Sequence, residues 1–397
     1  MSTLASPSPF AGVRPTLVHR PVLPLRASTG FVLAHDYLTQ RGGAERVALA
    51  LAQGLDARRI ITSVYDPGAT FDGFRHFEVV TSGLPLLDHF RKDVRRALPL
   101  LSTVWSHMRP VRADVLVCSS SGWAHAMPAA PQTTKIVYCH NPARWLYQPE
   151  DYLLQAGLVT RTALKTLSPG LKRWDRRAAA TADAYVANST AVARRIAQTY
   201  GIQAEVIHPP VALDVQARQE AVEAVEPGFF LMIARARGYK MADALIAAFA
   251  GMPEHRLVVV GGAMPDGLPS NITALGRVSE ARLRWLYAHA RALVSTSHED
   301  FGLTPIEANA FGTPALVLRA GGFLDSTAEG VSGSFIEDGS VDAVRAAVQG
   351  FRGDWDPDAI RRHAAQFSPA SFVQKLRDLA ERTRLQKLSR SVLQAAA

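Results

Sequence analysis

At 397 residues the chain exceeds what one hydrophobic core usually organises, so two domains of similar size are expected. A hydrophobic content of 48% with 20% charged residues excludes a disordered chain. Two cysteines, Cys118 and Cys139, exclude a disulfide scaffold and fit a reducing compartment. Net charge is +9, and the first half carries all of the excess: residues 1–210 hold 24 Lys+Arg against 14 Asp+Glu, residues 211–397 hold 20 against 21. That asymmetry points to an anionic partner. No nucleic-acid motif accompanies it, so an anionic membrane surface is expected and nucleic acid is not.

Residues 1–29 contain five prolines, three arginines and no acid, which reads as a flexible extension rather than a secretory signal. The apolar run Phe31–Ala34 is a short buried strand, followed by His35-Asp36-Tyr37 and the pair Gly42-Gly43. Val47, Leu51 and Leu55 then recur at helical spacing. The strand–loop–helix unit repeats. Asp114–Cys118 runs into Ser119, Lys135–Cys139 runs into His140-Asn141-Pro142, and Ala184–Ala187 runs into the capping cluster Asn188-Ser189-Thr190. The double proline Pro209-Pro210, an acidic stretch over 214–226 and Pro227-Gly228 together mark the strongest boundary in the sequence. The alternation restarts with strands at 229–233, 256–260, 272–275, 292–295 and 314–318, and helices at 241–249, 280–290 and 304–311.

Short apolar runs separated by helices predict parallel sheets covered on both faces. The expected class is α/β, with two Rossmann-like domains facing a central cleft. Its parts are an extension over 1–29, a first domain over 30–210, a second over 211–380 and a helical tail over 381–397. Ligands should then bind between the domains, at the carboxyl ends of the strands.

The sharpest local pattern is Glu299-Asp300-Phe301-Gly302-Leu303-Thr304-Pro305-Ile306-Glu307. Thr304 and Pro305 read as the N-cap and first residue of a helix, so Glu307 could merely close a capping box. Against that, both Glu299 and Glu307 follow a strand's carboxyl end, where the cleft should lie. Glycine pairs at Gly42-Gly43 and Gly321-Gly322 would let backbone N–H groups approach an anion closely; simple turns are the alternative. His140 directly follows a strand and could hydrogen-bond a ligand in the cleft, or be a core histidine with internal partners. Asp354 and Asp356 precede a helix and read as capping rather than metal binding.

Glu299 and Glu307 within this segment resemble the E-x7-E motif of the retaining glycosyltransferases of family 4, which have the GT-B fold. The likeness runs from residue 31 to about 380. His35-Asp36-Tyr37-Leu38 with Gly42-Gly43-Ala44-Glu45 resembles that family's donor-phosphate loop, and Tyr138–Arg144 resembles the YCHTPMR segment of its bacterial polysaccharide mannosyltransferases. Arg235 and Lys240 are similar to the family's paired diphosphate cations. The resemblance implies a nucleotide-sugar donor, most simply GDP-mannose, held by the second domain without a metal ion or other cofactor. Glu307 would bind the ribose, Glu299 the sugar hydroxyls, His140 the transferring sugar or leaving group, and Arg235 and Lys240 the diphosphate. Gly42, Gly43, Gly321 and Gly322 would add backbone donors. It further implies a lipid-linked or oligosaccharide acceptor for exopolysaccharide or cell-surface glycan synthesis.

The protein would be cytoplasmic and peripheral at the inner membrane face. There the basic segments Arg91-Lys92/Arg95-Arg96 and Lys172-Arg173/Arg176-Arg177, flanked by leucines and Trp174, could rest on lipid headgroups; ordinary solvated helix faces are the alternative. One departure stands out: Asp325 replaces the glutamate usual three residues after the second glycine pair. Three other readings use the same residues. One is a UDP-sugar-dependent transferase of this fold, and another is a non-catalytic nucleotide-sugar-binding protein. The third, a glycoside hydrolase using Glu299 and Glu307 as acid and nucleophile, leaves the paired cations and both glycine pairs without a role.

Overall fold

A computed structural model describes residues 28–82, 98–148, 158–211, 213–234, 239–262 and 267–396. Two parallel sheets organise them. The first contains β1 (Ser28–His35), β2 (Arg59–Thr62), β3 (Glu78–Thr81), β4 (Ala113–Ser120), β5 (Thr134–Cys139), β6 (Ala184–Ala187) and β7 (Glu205–Val206), in the order β3-β2-β1-β4-β5-β6-β7. The second contains β8 (Phe230–Ile233), β9 (Leu257–Val260), β10 (Ile272–Gly276), β11 (Ala292–Ser295), β12 (Ala315–Leu318) and β13 (Gly333–Ile336), in the order β10-β9-β8-β11-β12-β13. Each order reverses beside its first strand, β1 or β8, which opens a crevice at the carboxyl ends there.

The central strands lack alternation because both faces are covered. One face of the first sheet packs on Trp105, Trp123, Tyr185, Val192 and Ile196. The other packs on Val47, Leu51 and Phe74, and on Phe372, Leu376, Leu379 and Ala380 from the last helix, Pro369–Ala396. That helix runs straight through the boundary expected at 380. Its side chains from 372 to 380 belong to the first sheet's core, so the chain crosses back after completing the second sheet. At about 1.5–3 kcal/mol for each large apolar side chain fully buried, this crossover ties the two domains together.

Strands β2, β3 and β13 have no counterpart in the sequence reading. β3 exposes Glu78 and Thr81 and only half-buries Val79 and Val80, an edge pattern too polar for a buried-strand signature. The helix Thr190–Tyr200 follows the expected chemistry: Ser189 caps it by accepting from Val192 N–H at 3.1 Å, and Gly201 ends it at φ 70°. Asp356 likewise caps the helix Pro357–Ala365, and Asp354 pairs with Arg352 at 2.9 Å.

Candidate active site

One wall of the cleft grows from three adjacent strand ends. Parallel register sets His35 beside Ser119, and Ser120 beside Cys139, so His140 emerges one residue past the sheet. The Asp36 carboxylate, almost fully buried, accepts from the backbone N–H of Ser121 (2.5 Å), Trp123 (3.0 Å) and Ala124 (2.6 Å). It therefore shapes the loop after β4 and is itself satisfied. His140 is 8% exposed, and its Nε2 lies 2.8 Å from the Ser119 hydroxyl. That oxygen is also 3.0 Å from His35 Nδ1. Burial holds both imidazolium forms down, to about 4, with Asp36 opposing and His140 adding to the effect at His35. Both rings are neutral at pH 7.

Gly42 precedes the helix Gly43–Gly54, and a Cβ there would run into the Glu45 carboxylate. Glu45 is 2% exposed. It accepts from Gln40 at 2.9 Å through Oε1, while Oε2 has no hydrogen-bond partner among the described residues. Burial pushes its carboxyl up to about 7. Gly43 faces the second domain, where a Cβ would lie 3.4 Å from Leu303.

The opposite wall is the loop after β11. Glu299 is half-buried and accepts from the Ser297 hydroxyl at 3.2 Å. The backbone of Glu299–Phe301 lies directly against Gly321 and Gly322. A Cβ at Gly321, where φ is 60°, would sit 2.5 Å from the Glu299 carbonyl, and one at Gly322 would overlap Phe301 Cα and the Asp300 carbonyl. Gly322 N–H donates to that Glu299 carbonyl at 2.9 Å. This corrects the expected role of Gly322: its donor already holds the glutamate loop and is not offered to an anion.

The capping box does not form. The helix begins at Leu303, one residue before the expected cap, with Gly302 at φ 89° as N-cap and Pro305 still in the first turn. Gly302 occupies that place because a Cβ would be 2.5 Å from the Phe323 ring. Glu307 is buried, and its Oε2 accepts from the Tyr287 hydroxyl at 2.8 Å. Burial and the neighbouring Glu307 hold the Tyr287 phenol well above its usual range.

Ion pairs join the walls. Asp300 receives Arg144 at 2.5 Å on one oxygen and Arg195 at 2.5 Å on the other. Arg195 also donates to Asn141 Oδ1 at 3.2 Å. One guanidinium thus links the neighbour of His140 to the neighbour of Glu299. The Ser189 hydroxyl donates to the Asp300 carbonyl, and Asp325 accepts from Thr190 N–H (2.8 Å) and its hydroxyl (2.6 Å). Asp325 is therefore a bridge between domains.

Sequence reasoning missed Asp300, Arg195, Ser119 and the bridging use of Asp325. Only strand-end position could have flagged Ser119, and no local signal marks the others, which meet from over a hundred residues apart. Arg235 lies outside the described residues, as does the segment Arg91–Arg96. Lys240 is on the helix Tyr239–Ala250, its backbone alone described. The second basic segment falls on the helix Leu158–Ala179, where Arg173, Arg176 and Arg177 are exposed. Leu171 and Trp174 are half-buried against the first sheet's core, with Trp174 Nε1 donating to Ser106 at 2.7 Å, so these flanking side chains expose only part of their surface. No helix among the described residues is long and apolar enough to cross a membrane.

Two Rossmann-like sheets whose facing strand ends carry the glutamate loop and the histidine segment define a GT-B protein. Solved structures agree on the fold. Anabaena Alr3699/HepE in complex with UDP-glucose superposes with a TM-score of 0.61 at 17% identity, covering 89% of this chain and 99% of that one. Sucrose-phosphate synthase from Thermosynechococcus elongatus gives 0.62 at 17% identity, covering 92% and 100%. The family model Glycosyltransferase Family 4 matches residues 41–215, and Glycosyl transferases group 1 matches 215–366. The chain belongs to glycosyltransferase family 4.

Among curated relatives, D-inositol 3-phosphate glycosyltransferase of Mycolicibacterium smegmatis is 29% identical over 229 residues, 49% of this chain and 52% of that protein. The Mycobacterium tuberculosis protein of the same name is 29% identical over 220 residues, 47% and 46%. The match thus spans about half the length of these relatives.

Proposed function

We propose that the protein is a retaining glycosyltransferase that moves a hexose from a nucleotide diphosphate sugar to a lipid-linked or oligosaccharide acceptor. The observation that carries this reading is the Asn141–Arg195–Asp300 link, which draws the His140 segment and the Glu299/Glu307 loop to one cleft. In this reading Glu307, held by Tyr287, receives the ribose hydroxyls, and Glu299 receives hydroxyls of the transferring sugar. Arg235 and Lys240 neutralise the diphosphate as it leaves, with no metal ion required. Backbone donors of the Gly42-Gly43 and Gly321 loops add to that stabilisation. The nucleotide diphosphate departs from the sugar's anomeric carbon and the acceptor hydroxyl bonds to that carbon on the same face, its proton passing to the departing phosphate oxygen, and no carboxylate acts as nucleophile.

GDP-mannose is the donor that the His140 segment suggests. A UDP-sugar is the second reading, favoured by the structural neighbours solved with UDP and UDP-glucose. Calorimetry with GDP-mannose, UDP-glucose and other nucleotide sugars decides between them. Binding of none overturns the proposal, and donor binding without turnover on any acceptor favours a binding protein. Arg235→Ala and Lys240→Ala should each weaken donor binding with folding intact, and a chelator should leave turnover unchanged.

The exposed arginines of the helix Leu158–Ala179 support attachment to an anionic membrane. At about 1 kcal/mol for each basic residue near such a surface, binding should be salt-sensitive. Co-sedimentation with anionic but not neutral vesicles, lost at high salt, is the expected result.

A further inference from the structure

We infer that Ser119, oriented by His35, is a positioning residue that fixes the tautomer of His140, so that His140 meets its ligand as a hydrogen-bond donor through Nδ1. The inference deepens the proposed function, since it rests on His140 contacting the sugar or its leaving group.

Three buried side chains, His35, Ser119 and His140, form one hydrogen-bonded chain. His35 Nδ1 lies 3.2 Å from the Ser119 carbonyl and 3.0 Å from its hydroxyl. A carbonyl only accepts, so the His35 proton is on Nδ1. The Ser119 hydroxyl therefore accepts from His35 and has its own proton left to donate. Its remaining neighbour is His140 Nε2 at 2.8 Å, which must be the unprotonated nitrogen. A neutral imidazole carries one proton, so in His140 it resides on Nδ1, the ring nitrogen turned away from Ser119. Burial disfavours the doubly protonated ring that would blur this choice.

The backbone makes the relay rigid. His35 and Ser119 are register partners on β1 and β4, and Ser119 is fully buried. The His140 ring is braced edge-on by Tyr138, with centroids 5.4 Å apart, and its carbonyl accepts from the Asn188 amide at 3.0 Å. A buried hydroxyl between two imidazoles would be a desolvation cost unless it is hydrogen-bonded to both. A donor at His140 suits an acceptor oxygen on the sugar or phosphate.

Nitrogen-15 NMR of the histidine-labelled full chain tests this without a substrate, the His140 resonances being identified by their loss in His140→Gln. The expected result is an Nδ1–H tautomer in the unsubstituted protein, retained in Ser119→Thr and in His35→Asn, whose amide supplies the same donor. Ser119→Ala should give a mixture of tautomers. It should also lower kcat about five- to ten-fold, the worth of one net hydrogen bond, with little change in KM for the donor. Turnover is read as GDP released from GDP-mannose, or UDP from UDP-glucose, whichever the protein binds. An Nε2–H tautomer in the unsubstituted protein, or no change in Ser119→Ala, overturns the inference. Full turnover in His140→Gln with the tautomer result intact would instead overturn the catalytic reading of His140 while the relay stands.

Discussion

The two walls of the cleft are held by different forces. On the first-domain side, His35, Asp36, Glu45 and His140 are buried and linked by side-chain hydrogen bonds or by donors from the backbone. On the second-domain side, Glu299 is held by the shape of its backbone, which fits against two glycines. The first wall is an electrostatic construction whose main cost is desolvation; the second is a steric one. Acid and alkali should therefore disturb the first, and small changes of volume the second.

The largest expected effect is acid lability of the first wall. The folded-state values of His35 and His140 lie near 4, below the ordinary 6.5, so the unfolded chain binds more protons between those limits. Stability from these rings is then full above pH 6.5 and is lost as pH falls towards 4, by about 3 kcal/mol per ring at most. Urea unfolding across that range should steepen accordingly, and His35→Asn should remove about half of the slope. An unchanged slope would dissolve the contrast between the walls.

Gly322→Ala probes the steric wall. Its methyl would overlap the Asp300–Phe301 backbone, which cannot yield without moving Glu299. We expect a loss of about 3 kcal/mol, insensitive to pH, together with loss of donor binding. A thermal scan at pH 6 and 8 checks both parts, and a pH-dependent loss would show that sterics do not govern this wall.

Glu45 offers the opposite sign to the histidines. Its carboxyl is pushed up to about 7 from 4.5, so the folded state holds the proton more tightly and stability declines as pH rises from 4.5 through 7. Glu45→Gln should be about 2–3 kcal/mol more stable than the parent at pH 8 and about equal at pH 4. Equal melting at both values would mean the carboxylate is hydrated.

The smallest effect concerns the bridge between the walls. Thr190→Val removes one of the two donors to Asp325 and should cost about 1 kcal/mol while increasing amide exchange at the start of the helix Thr190–Tyr200. Exchange unchanged by the substitution would leave the bridge without a mechanical role.

Much of the fold was readable from apolar runs, because a parallel strand buried on both faces leaves an uninterrupted signature, as in Val115–Cys118 and Leu257–Val260. Edge strands such as β3 escaped, being half exposed and polar at both ends. Glu299 and Glu307 were legible as a spaced pair, yet the local chemistry around them misled. Thr304-Pro305 carries the marks of a helix start, but packing of Gly302 on Phe323 moved the start earlier and left Glu307 to Tyr287.

By itself the sequence determined the two alternating α/β halves and the strand-end places of His140 and Glu299, since each follows from periodicity within a few turns of chain. Only the tertiary structure decided that the last helix returns to the first sheet and that Arg195 ties Asn141 to Asp300. It also decided that Gly322 serves the glutamate loop and that Ser119 sits between two imidazoles. Those depend on partners far apart in the chain, such as 84 residues between His35 and Ser119, 105 between Arg195 and Asp300 and 234 between Tyr138 and Phe372, and no local rule of spacing or propensity encodes which distant atoms will meet.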